Sequence, residues 1–434
     1  MGIHKKLIFL KHYYKAPQDS WRTLGHCDVI LMCHDSDRSA SLNGKVYSPL
    51  IDSVGDDLSN RGWVVARLAL PTSLILGNKA HGNPVSIERS LLKAQVLHYL
   101  MRLSNNLFHK KEFLDSDYNQ FDVAFYLKLL KRTNARCVIS IGTPLGMCKA
   151  GHLQKIPIVE LLHGIGYYPI PWGWDKINIE NLPNLILSLD NVSTNTFTPL
   201  QDKGATIRQI PHPWLKRFIN VEERQKLPSE WKGNISVSSK FRKVILVSLN
   251  KAYDDENHPE YAGIIPNGIM IDELRKVIES TNDSIFWLLR LHGVQLRNRK
   301  YVKHLEYIRD LVNKTKNSEW KLASSIPLPS LLPMCDGHIT MCSMVSYEAA
   351  YFGVPTLLLC PTLRLGGLNE GMFSDLKESG HAKLGSFDEA FIHSWVEKVS
   401  RMKEVVPSLS EAAWDEAIEF MLGKRQNTND LIDK

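Results

Sequence analysis

The segment IPIVELLHGIGYYPIPWGW, residues 156–174, places two ionisable side chains at the end of an apolar run. Glu160 ends the run, and His163 follows three residues later, directly before Gly164. A carboxylate or an imidazole held next to a reacting group can accept or deliver a proton, which is general acid–base catalysis. His163 could instead be a structural imidazole bonded to a backbone carbonyl. Glu160 and His163 are the first candidates for catalysis, and their spacing does not decide between them.

A second group of polar side chains, HDSDR, follows the apolar run CDVILMC at residues 27–33. Asp35 and Asp37 could contribute to a metal site, although two aspartates without a third ligand are a weak signal for one. They could also bind or deprotonate a substrate hydroxyl, or cap the next helix. Asp35 and Asp37 are therefore further candidates for catalysis, and Arg38 is a candidate for substrate binding.

The segment DGHITMCSMVSYEAAYFGVPTLLL, residues 336–359, predicts a strand, a capped helix and a second strand. Ser343 is placed to cap a helix from about Met344 to Phe352, and Gly353 fits the position after its end. A helix start offers free N–H groups and a positive dipole end, which suit a phosphate. A capped structural helix with a solvated glutamate is the alternative. The polar side chains near this helix start belong to Ser343, Ser346 and Glu348.

These candidates need a scaffold, and short apolar runs that alternate with amphipathic segments predict one. Runs that are apolar throughout are typical of parallel strands covered on both faces, and the segments between them have helical periodicity. The pattern predicts an α/β protein with two doubly wound domains. The predicted boundaries are an N-terminal domain at 1–220, a linker at 221–243, a C-terminal domain at 244–405 and a helical tail at 406–434. In such sheets ligands bind at the carboxyl ends of the strands, where the candidate residues lie.

Composition restricts the function classes. The chain has 434 residues, enough for two domains, with 44% hydrophobic and 23% charged residues. The formal charge of +7 is modest, and no nucleic-acid-binding signature is present, so no nucleic-acid partner is predicted. Seven scattered cysteines without a CxxC pair suit free buried thiols in a reducing compartment. With no spanning apolar segment or signal peptide, the predicted location is the cytoplasm.

The pattern T-x-x-S-x-x-x-x-E-A-x-x-x-G-x-P-T, residues 340–356, resembles the donor-binding segment of GT-B glycosyltransferases. It is also similar to related enzymes that use CDP-activated polyols or CMP-activated acid sugars. The resemblance implies that Ser343 holds the donor phosphate and that Glu348 contacts the ribose. The second hydroxyl of the family's pair would fall at Met344, a departure for which Ser346 could compensate.

Two further segments resemble the same families. FWLLRLHGVQ, residues 286–295, is similar to the strand end at which a basic residue and a histidine face the donor phosphates, here Arg290 and His292. RQIPHPW, residues 208–214, resembles the His-Pro element of bacterial CMP-sugar transferases, which makes His212 a donor-binding candidate.

The resemblance implies two Rossmann-like domains facing a cleft, with no cofactor and no divalent metal needed for chemistry. The His163-Gly164 dipeptide is similar to the base-bearing HG of teichoic-acid-type transferases. Glu160 is similar to the acidic element of CMP-sugar transferases. A carboxylate near the anomeric carbon can also stabilise an oxocarbenium-like transition state. The aromatic faces of Tyr167, Tyr168 and Trp172 could stack on an acceptor sugar, contact lipid head groups, or simply pack within the loop. Arg38 joins these three as an acceptor-binding candidate.

The expected function is transfer of a sugar from a nucleotide-activated donor, with CMP-Kdo or a similar acid sugar favoured, to a glycan or lipid-linked acceptor in bacterial surface polysaccharide synthesis. The alternatives are a CDP-polyol phosphotransferase, a non-hydrolysing UDP-sugar epimerase and a non-enzymatic binding protein. Basic segments at 5–15 and 102–111 could contact the cytoplasmic face of the inner membrane, although for each segment alone a solvated basic face is the better explanation.

Overall fold

The computed structural model describes residues 16–107, 119–232, 235–250, 265, 269–281, 283–297, 299–405 and 410–423. The chain divides into two compact units. The first comprises the described residues up to Trp214 together with those from residue 410 onward, and the second runs from Leu215 to residue 405. The sequence-based boundaries stay a prediction, but this division differs from them in two respects. The predicted linker at 221–243 lies within the second unit, and the tail helix Glu411–Leu422 belongs to the first.

The first unit is built on a parallel sheet of six strands among its described residues, in the order β4-β1-β5-β6-β7-β8. Its strands are β1 (Val29–Cys33), β4 (Val65–Ala69), β5 (Cys137–Ser140), β6 (Ile158–Leu161), β7 (Leu185–Ser188) and β8 (Thr206–Gln209). The interior strands β1, β5, β6 and β7 are buried at every residue, because helices cover both faces of the sheet. These strands confirm the α/β class predicted from the apolar runs.

A small hairpin stands apart from this sheet and was not predicted. It joins β2 (Ala40–Leu42) to antiparallel β3 (Lys45–Tyr47) through Asn43 and Gly44, whose φ angles are 52° and 71°. Positive φ at both turn residues is the type I′ geometry that an Asn-Gly pair favours. The Asn-Gly pair was the signal in the sequence that could have revealed the hairpin.

The helices of the first unit cover its sheet. They are α1 (Ile51–Asn60), α2 (Glu88–Leu107), α3 (Gln120–Thr133), α4 (Leu145–Gln154), α5 (Asn191–Phe197) and α16 (Glu411–Leu422). A buried cluster joins α3 and α4 to the sheet through Leu129, Met147, Val138 and Ile158. Helix α16 is fixed to α1, because the Trp414 indole donates to Asp57 at 2.6 Å and Arg61 pairs with Asp415.

Replacing Gly151 by alanine is expected to destabilise the first unit, because α4 lies very close to β6. An added Cβ would fall 2.1 Å from Cγ1 of the fully buried Ile158. Overpacking typically costs about 1–3 kcal/mol, against a gain of about 1 kcal/mol in helix propensity. We expect a net loss of about 1–2 kcal/mol, or about 2–8 °C in melting temperature measured by calorimetry. Gly25→Ala is the control, since nothing lies within 4 Å of its Cβ position; equal melting temperatures for the two variants would contradict the prediction.

The second unit repeats this plan. Its described residues form a parallel six-stranded sheet in the order β11-β10-β9-β12-β13-β14. Its strands are β9 (Lys243–Ser248), β10 (Ile285–Arg290), β11 (Ser318–Glu319), β12 (Gly337–Thr340), β13 (Thr356–Leu358) and β14 (Ala382–Leu384). Its helices are α6 (Lys216–Ile219), α7 (Val221–Gln225), α8 (Asp272–Ser280), α9 (Gly293–Arg297), α10 (Val302–Lys314), α11 (Lys321–Ser325), α12 (Leu328–Leu331), α13 (Val345–Tyr351), α14 (Ser374–Glu378) and α15 (Glu389–Lys398).

Helix α13 begins one residue later than predicted, so Ser343 is not its N-cap. The N-cap position is Met344, and the Ser343 hydroxyl accepts from the Val345 N–H at 3.3 Å. The Ser343 carbonyl instead accepts from the N–H of Ser346 at 3.1 Å, which tightens the turn before the helix. Gly353 has a φ of 66° directly after the C-cap Phe352, as predicted.

Among the described residues, no helix is both long enough and apolar enough to cross a membrane. Of the two basic segments predicted to contact a membrane surface, residues 5–15 and 108–111 lie outside the described residues.

Candidate functional site

The candidate catalytic residues follow neighbouring strands of the first sheet. β5 pairs with β1 and with β6, and the register sets Ser140 opposite both Met32 and Glu160. Because the strands are parallel, the segments that follow them emerge at one edge. This carboxyl edge therefore brings together the segment after β1, the Gly142-Thr143 turn and the turn at His163.

Glu160 is fully buried and faces this edge from inside the sheet. Its carboxylate accepts from the N–H groups of Gly142 at 2.7 Å and Thr143 at 2.9 Å, and from the Thr143 hydroxyl at 2.6 Å. Burial raises its pKa to about 7, although these hydrogen bonds favour the ionised form. The carboxylate thus holds the turn before α4 and occupies the N–H groups that an anion would otherwise use there. A catalytic role for Glu160 stays a prediction.

His163 is exposed, and both of its ring nitrogens lie close to the Tyr167 side chain. The Tyr167 hydroxyl lies 2.6 Å from Nδ1 and 3.2 Å from Nε2 of His163. Desolvation lowers the pKa of His163, while the nearby carboxylate of Asp37 raises it. The imidazole is therefore neutral at neutral pH and can accept a proton, as a general base requires.

Asp37 is the carboxylate close enough to His163 for each group to shift the pKa of the other. It lies in a short 3₁₀ turn, Asp35–Asp37, where its Oδ2 accepts from the His34 N–H at 3.2 Å. Burial raises the pKa of Asp37, and the hydrogen bond from His34 and the charge of His163 lower it. A carboxylate in this place stabilises a protonated imidazole.

The other two candidates in this segment make structural contacts. Asp35 accepts from the N–H groups of Leu74 at 2.6 Å and Ile75 at 3.2 Å, so it fixes the loop after β4. Arg38 is only 3% exposed and pairs with buried Asp52 at 2.6 Å. Its guanidinium does not face solvent, so we do not include Arg38 among the acceptor-binding residues proposed below.

The loop after His163 presents a cluster of aromatic rings, which we call the aromatic platform. Its members are His163, Tyr167, Trp172, Trp174 and Phe197, with neighbouring ring centroids 5.0–6.1 Å apart. Trp174 and Phe197 are buried, whereas Trp172 is 49% exposed. Tyr168, outside the platform, is 66% exposed. The exposed rings are available to a ligand, and the buried ones fix the platform to the unit.

Sequence reasoning missed the residues that anchor this loop. Asp190 caps α5 and also accepts from the Gly166 N–H at 3.0 Å. The Ser193 hydroxyl accepts from the Tyr167 N–H at 3.1 Å, and the Thr196 hydroxyl donates to the Tyr167 carbonyl at 2.6 Å. The Asp-Asn sequence that opens α5 signals a helix cap, but nothing in it reveals a contact with a loop 24 residues earlier.

In the second unit, Arg290 at the end of β10 points toward the helix α11 region. One guanidinium nitrogen donates to the carbonyls of Ala323 and of Ile326, the latter at 2.8 Å. Burial lowers the pKa of Arg290 to about 10 and raises the pKa of Glu348 to about 7. The charge of each residue partly offsets the pKa shift that burial causes in the other. The structure thus brings Arg290 close to Glu348, although both were predicted to contact the donor directly.

The remaining donor candidates differ in accessibility. His292 is exposed, and its Nδ1 accepts from the Val294 N–H at 3.2 Å. Ser343 is half-buried, while Ser346 is fully buried with its hydroxyl donated to the Ser343 carbonyl at 2.9 Å. His212 belongs to the first unit, where burial lowers its pKa to about 3 and its Nδ1 accepts from the Trp214 N–H at 3.3 Å.

A metal centre built from the usual ligands is not apparent in the described part of the chain. No group of three or more His, Cys, Asp or Glu side chains there could hold a metal ion. Asp35 and Asp37, the pair considered from the sequence, are instead engaged with backbone N–H groups.

The chain matches no protein-family model and no curated protein. It is similar in structure to the UDP-GlcNAc 2-epimerase of Methanocaldococcus jannaschii in complex with UDP-GlcNAc and UDP, at 11% identity and a TM-score of 0.53, over 91% of this chain and 99% of that one. It is also similar to the wall teichoic acid polymerase TagF soaked with CDPG, at 12% identity and a TM-score of 0.51, over 99% of this chain and 98% of that one. S. aureus MnaA in a co-structure with UDP is similar at 11% identity and a TM-score of 0.52, over 92% of this chain and 99% of that one. At these identities the likeness establishes the fold alone. That fold is the GT-B fold of two Rossmann-like domains, each built here on a parallel six-stranded sheet.

Proposed function

We propose that this protein is a glycosyltransferase that moves a sugar from a nucleotide-activated donor to a glycan or lipid-linked acceptor in bacterial surface polysaccharide synthesis. One observation carries the proposal. The exposed imidazole of His163 belongs to the aromatic platform at the carboxyl edge of the first sheet, and the Asp37 carboxylate is close enough to raise its pKa.

In the proposed reaction, His163 is the general base. The acceptor hydroxyl gives its proton to a ring nitrogen of His163, and Asp37 stabilises the imidazolium that forms. The acceptor oxygen bonds to the anomeric carbon as the bond from that carbon to the donor phosphate oxygen breaks. The electron pair of the broken bond leaves with the nucleotide. Trp172 and Tyr168 present the exposed faces on which an acceptor sugar stacks.

We place the donor in the second unit, with Ser343 and His292 at its phosphate and Glu348 at the ribose. A CMP-activated acid sugar of the Kdo type is favoured by the resemblance of the His212-Pro213 element and of Glu160 to elements of CMP-sugar transferases. The likeness to structures determined with UDP-GlcNAc, UDP and CDPG supports a nucleotide-activated donor of some kind.

An epimerase is the second candidate, because one of the similar structures named above is a UDP-GlcNAc 2-epimerase in complex with UDP-GlcNAc and UDP. A CDP-polyol phosphotransferase is a third, because of the likeness to TagF soaked with CDPG. The products separate the three. Transfer gives a glycosylated acceptor, epimerisation gives an isomeric nucleotide sugar without acceptor, and phosphotransfer leaves phosphorus in the product.

The donor assignment is tested by thermal-shift measurements with CMP, CDP, UDP and GDP on the wild type and on Ser343→Ala. We expect the largest stabilisation with CMP, and a smaller one in the variant because a phosphate hydrogen bond is lost. Ser325→Ala, at an exposed position of the same unit, is the control and should behave as wild type. If none of the four nucleotides stabilises the protein, a nucleotide-activated donor is ruled out.

A pH profile tests the proposed base. His163 must be neutral to accept a proton, and desolvation lowers its pKa below the ordinary 6.5. We expect kcat/KM to be level near neutral pH and to fall as the pH drops through that lowered pKa. Because Asp37 raises the pKa of His163, Asp37→Asn should move this fall to still lower pH. A shift to higher pH in Asp37→Asn would contradict the assignment.

A further inference from the structure

Three sulfur atoms lie together at the carboxyl edge of the second sheet. β12 pairs with β13 so that Thr340 is opposite Leu358, and the Leu359 N–H donates to the Thr340 carbonyl at 2.8 Å. Cys342 and Cys360 each lie two residues beyond that pair. Neighbouring strands are about 4.8 Å apart, so the two residues emerge side by side. The two side chains are close enough to interact.

Met372 supplies the third sulfur, and we call the three residues the sulfur cluster. The Cys342 Sγ lies 3.5 Å from the Met372 Sδ. Cys342 and Met372 are half-buried, whereas Cys360 is 1% exposed and close to the Thr362 hydroxyl at 3.0 Å. Of the seven cysteines, all within the described residues and none in a disulfide, Cys342 is the one that is not buried. The cluster is therefore built on a buried thiol and is open on one side.

We propose that Cys342, Cys360 and Met372 form a binding site for a soft univalent metal ion of the Cu(I) type. Two thiolates and a thioether are the ligands that such an ion selects over carboxylate or water. Three metal–sulfur bonds of about 2.3 Å in a trigonal plane place the sulfurs about 4 Å apart. The 3.5 Å separation of Cys342 and Met372 is close to that spacing, so binding needs only a small expansion.

Binding replaces two S–H bonds by two metal–sulfur bonds and releases two protons to the solvent, while Met372 binds without losing a proton. The thiolate is the form of cysteine that binds a metal ion, so affinity for the ion rises with pH. A univalent ion held by two thiolates carries a net charge of −1.

That charge would lie beside Ser343, the residue next to Cys342. On the proposed function, a negative charge beside a phosphate-binding residue weakens donor binding. This consequence depends on the donor assignment, whereas the metal site itself does not. Metal binding without an effect on nucleotide binding would therefore overturn the donor assignment at Ser343 and leave the sulfur cluster in place.

The test is anaerobic competition between the full, tag-free protein and a chromophoric Cu(I) chelator. We expect the wild type to take one equivalent of Cu(I), with affinity rising with pH because protons are released. Cys342→Ser and Cys360→Ser should lose this equivalent, and Met372→Leu should weaken it by about tenfold or more, equivalent to about 1.4 kcal/mol. Cys335→Ala is the matched control, since the Cys335 thiol of the same unit donates to the Leu331 carbonyl and is not part of the cluster.

Two outcomes would overturn the proposal. One is equal competition by wild type and Cys342→Ser. The other is a wild-type mass two hydrogens lower after exposure to air, with no Cu(I) taken up by the reduced protein, which would make the pair a disulfide site. If Cys360→Ser fails to fold because Cys360 is buried, the half-buried Cys342 and Met372 carry the test through their own variants.

Discussion

Replacing His163 by asparagine is expected to lower kcat for sugar transfer by about 10²- to 10⁴-fold, the usual contribution of a general base. Asparagine retains a polar group close to the position of Nδ1 but cannot take a proton. His163 is exposed, so the fold and melting temperature should not change. Nucleotide stabilisation should also persist, because the proposed donor residues Ser343 and His292 belong to the other unit.

The measurement is steady-state transfer to an acceptor glycan, with thermal shift by the nucleotide as the binding readout. Tyr168→Ala is the matched control on the same loop, since Tyr168 is 66% exposed and lies outside the aromatic platform. It should raise KM for the acceptor and leave kcat nearly unchanged, as expected when only ground-state binding is lost. A His163→Asn protein with wild-type kcat would remove His163 from the mechanism.

Glu160 requires a different experiment, because the structure gives it a positioning contact. Its buried carboxylate accepts hydrogen bonds from the Gly142 and Thr143 N–H groups, one at each oxygen. A glutamine in its place could accept only one of these hydrogen bonds, because its NH₂ group would face the other N–H donor. If Glu160 only positions the turn, Glu160→Gln should lower both stability and kcat. The fall of activity at low pH should stay where the pKa of His163 sets it. Loss of that limb would instead indicate that Glu160 is the titrating base.

The sheets could be predicted from the sequence because each interior strand is an uninterrupted apolar run. VILMC, IVEL and LILS are buried at every residue, so period and burial agree. The polar segments after these strands could be predicted to meet at one edge for the same reason. That is why Asp37 and His163 were both predicted as candidates, although they are far apart in the chain.

The partners of the polar side chains could not be predicted. Local sequence gives Arg38 and Arg290 a charge at a strand end, but not whether that charge faces solvent or the interior. In the structure Arg38 meets Asp52, and Arg290 donates to backbone carbonyls beside Glu348. Such contacts depend on helices that arrive from elsewhere in the chain. Burial of a charge is decided by tertiary packing, which no spacing reports.

The Asp52 carboxylate is expected to be a major determinant of stability in the first unit. It is fully buried and accepts from Arg38 at 2.6 Å, from Arg67 at 3.0 Å and from the Ser48 N–H at 2.8 Å. Both arginines are less than one-tenth exposed. In Asp52→Asn, the buried Arg38 guanidinium loses its anionic partner, and Arg67 retains only Asp56 at 3.4 Å. Removing one partner of a buried pair typically costs about 3–5 kcal/mol.

We expect Asp52→Asn to lower the melting temperature by about 6–20 °C in calorimetry, since each kcal/mol corresponds to about 2–4 °C at this domain size. Asp415→Asn is the control, because Asp415 pairs with Arg61 at the surface, where an ion pair contributes at most about 1 kcal/mol. Equal melting temperatures for Asp52→Asn and Asp415→Asn would mean that the two arginines reach solvent or another anion when Asp52 is lost.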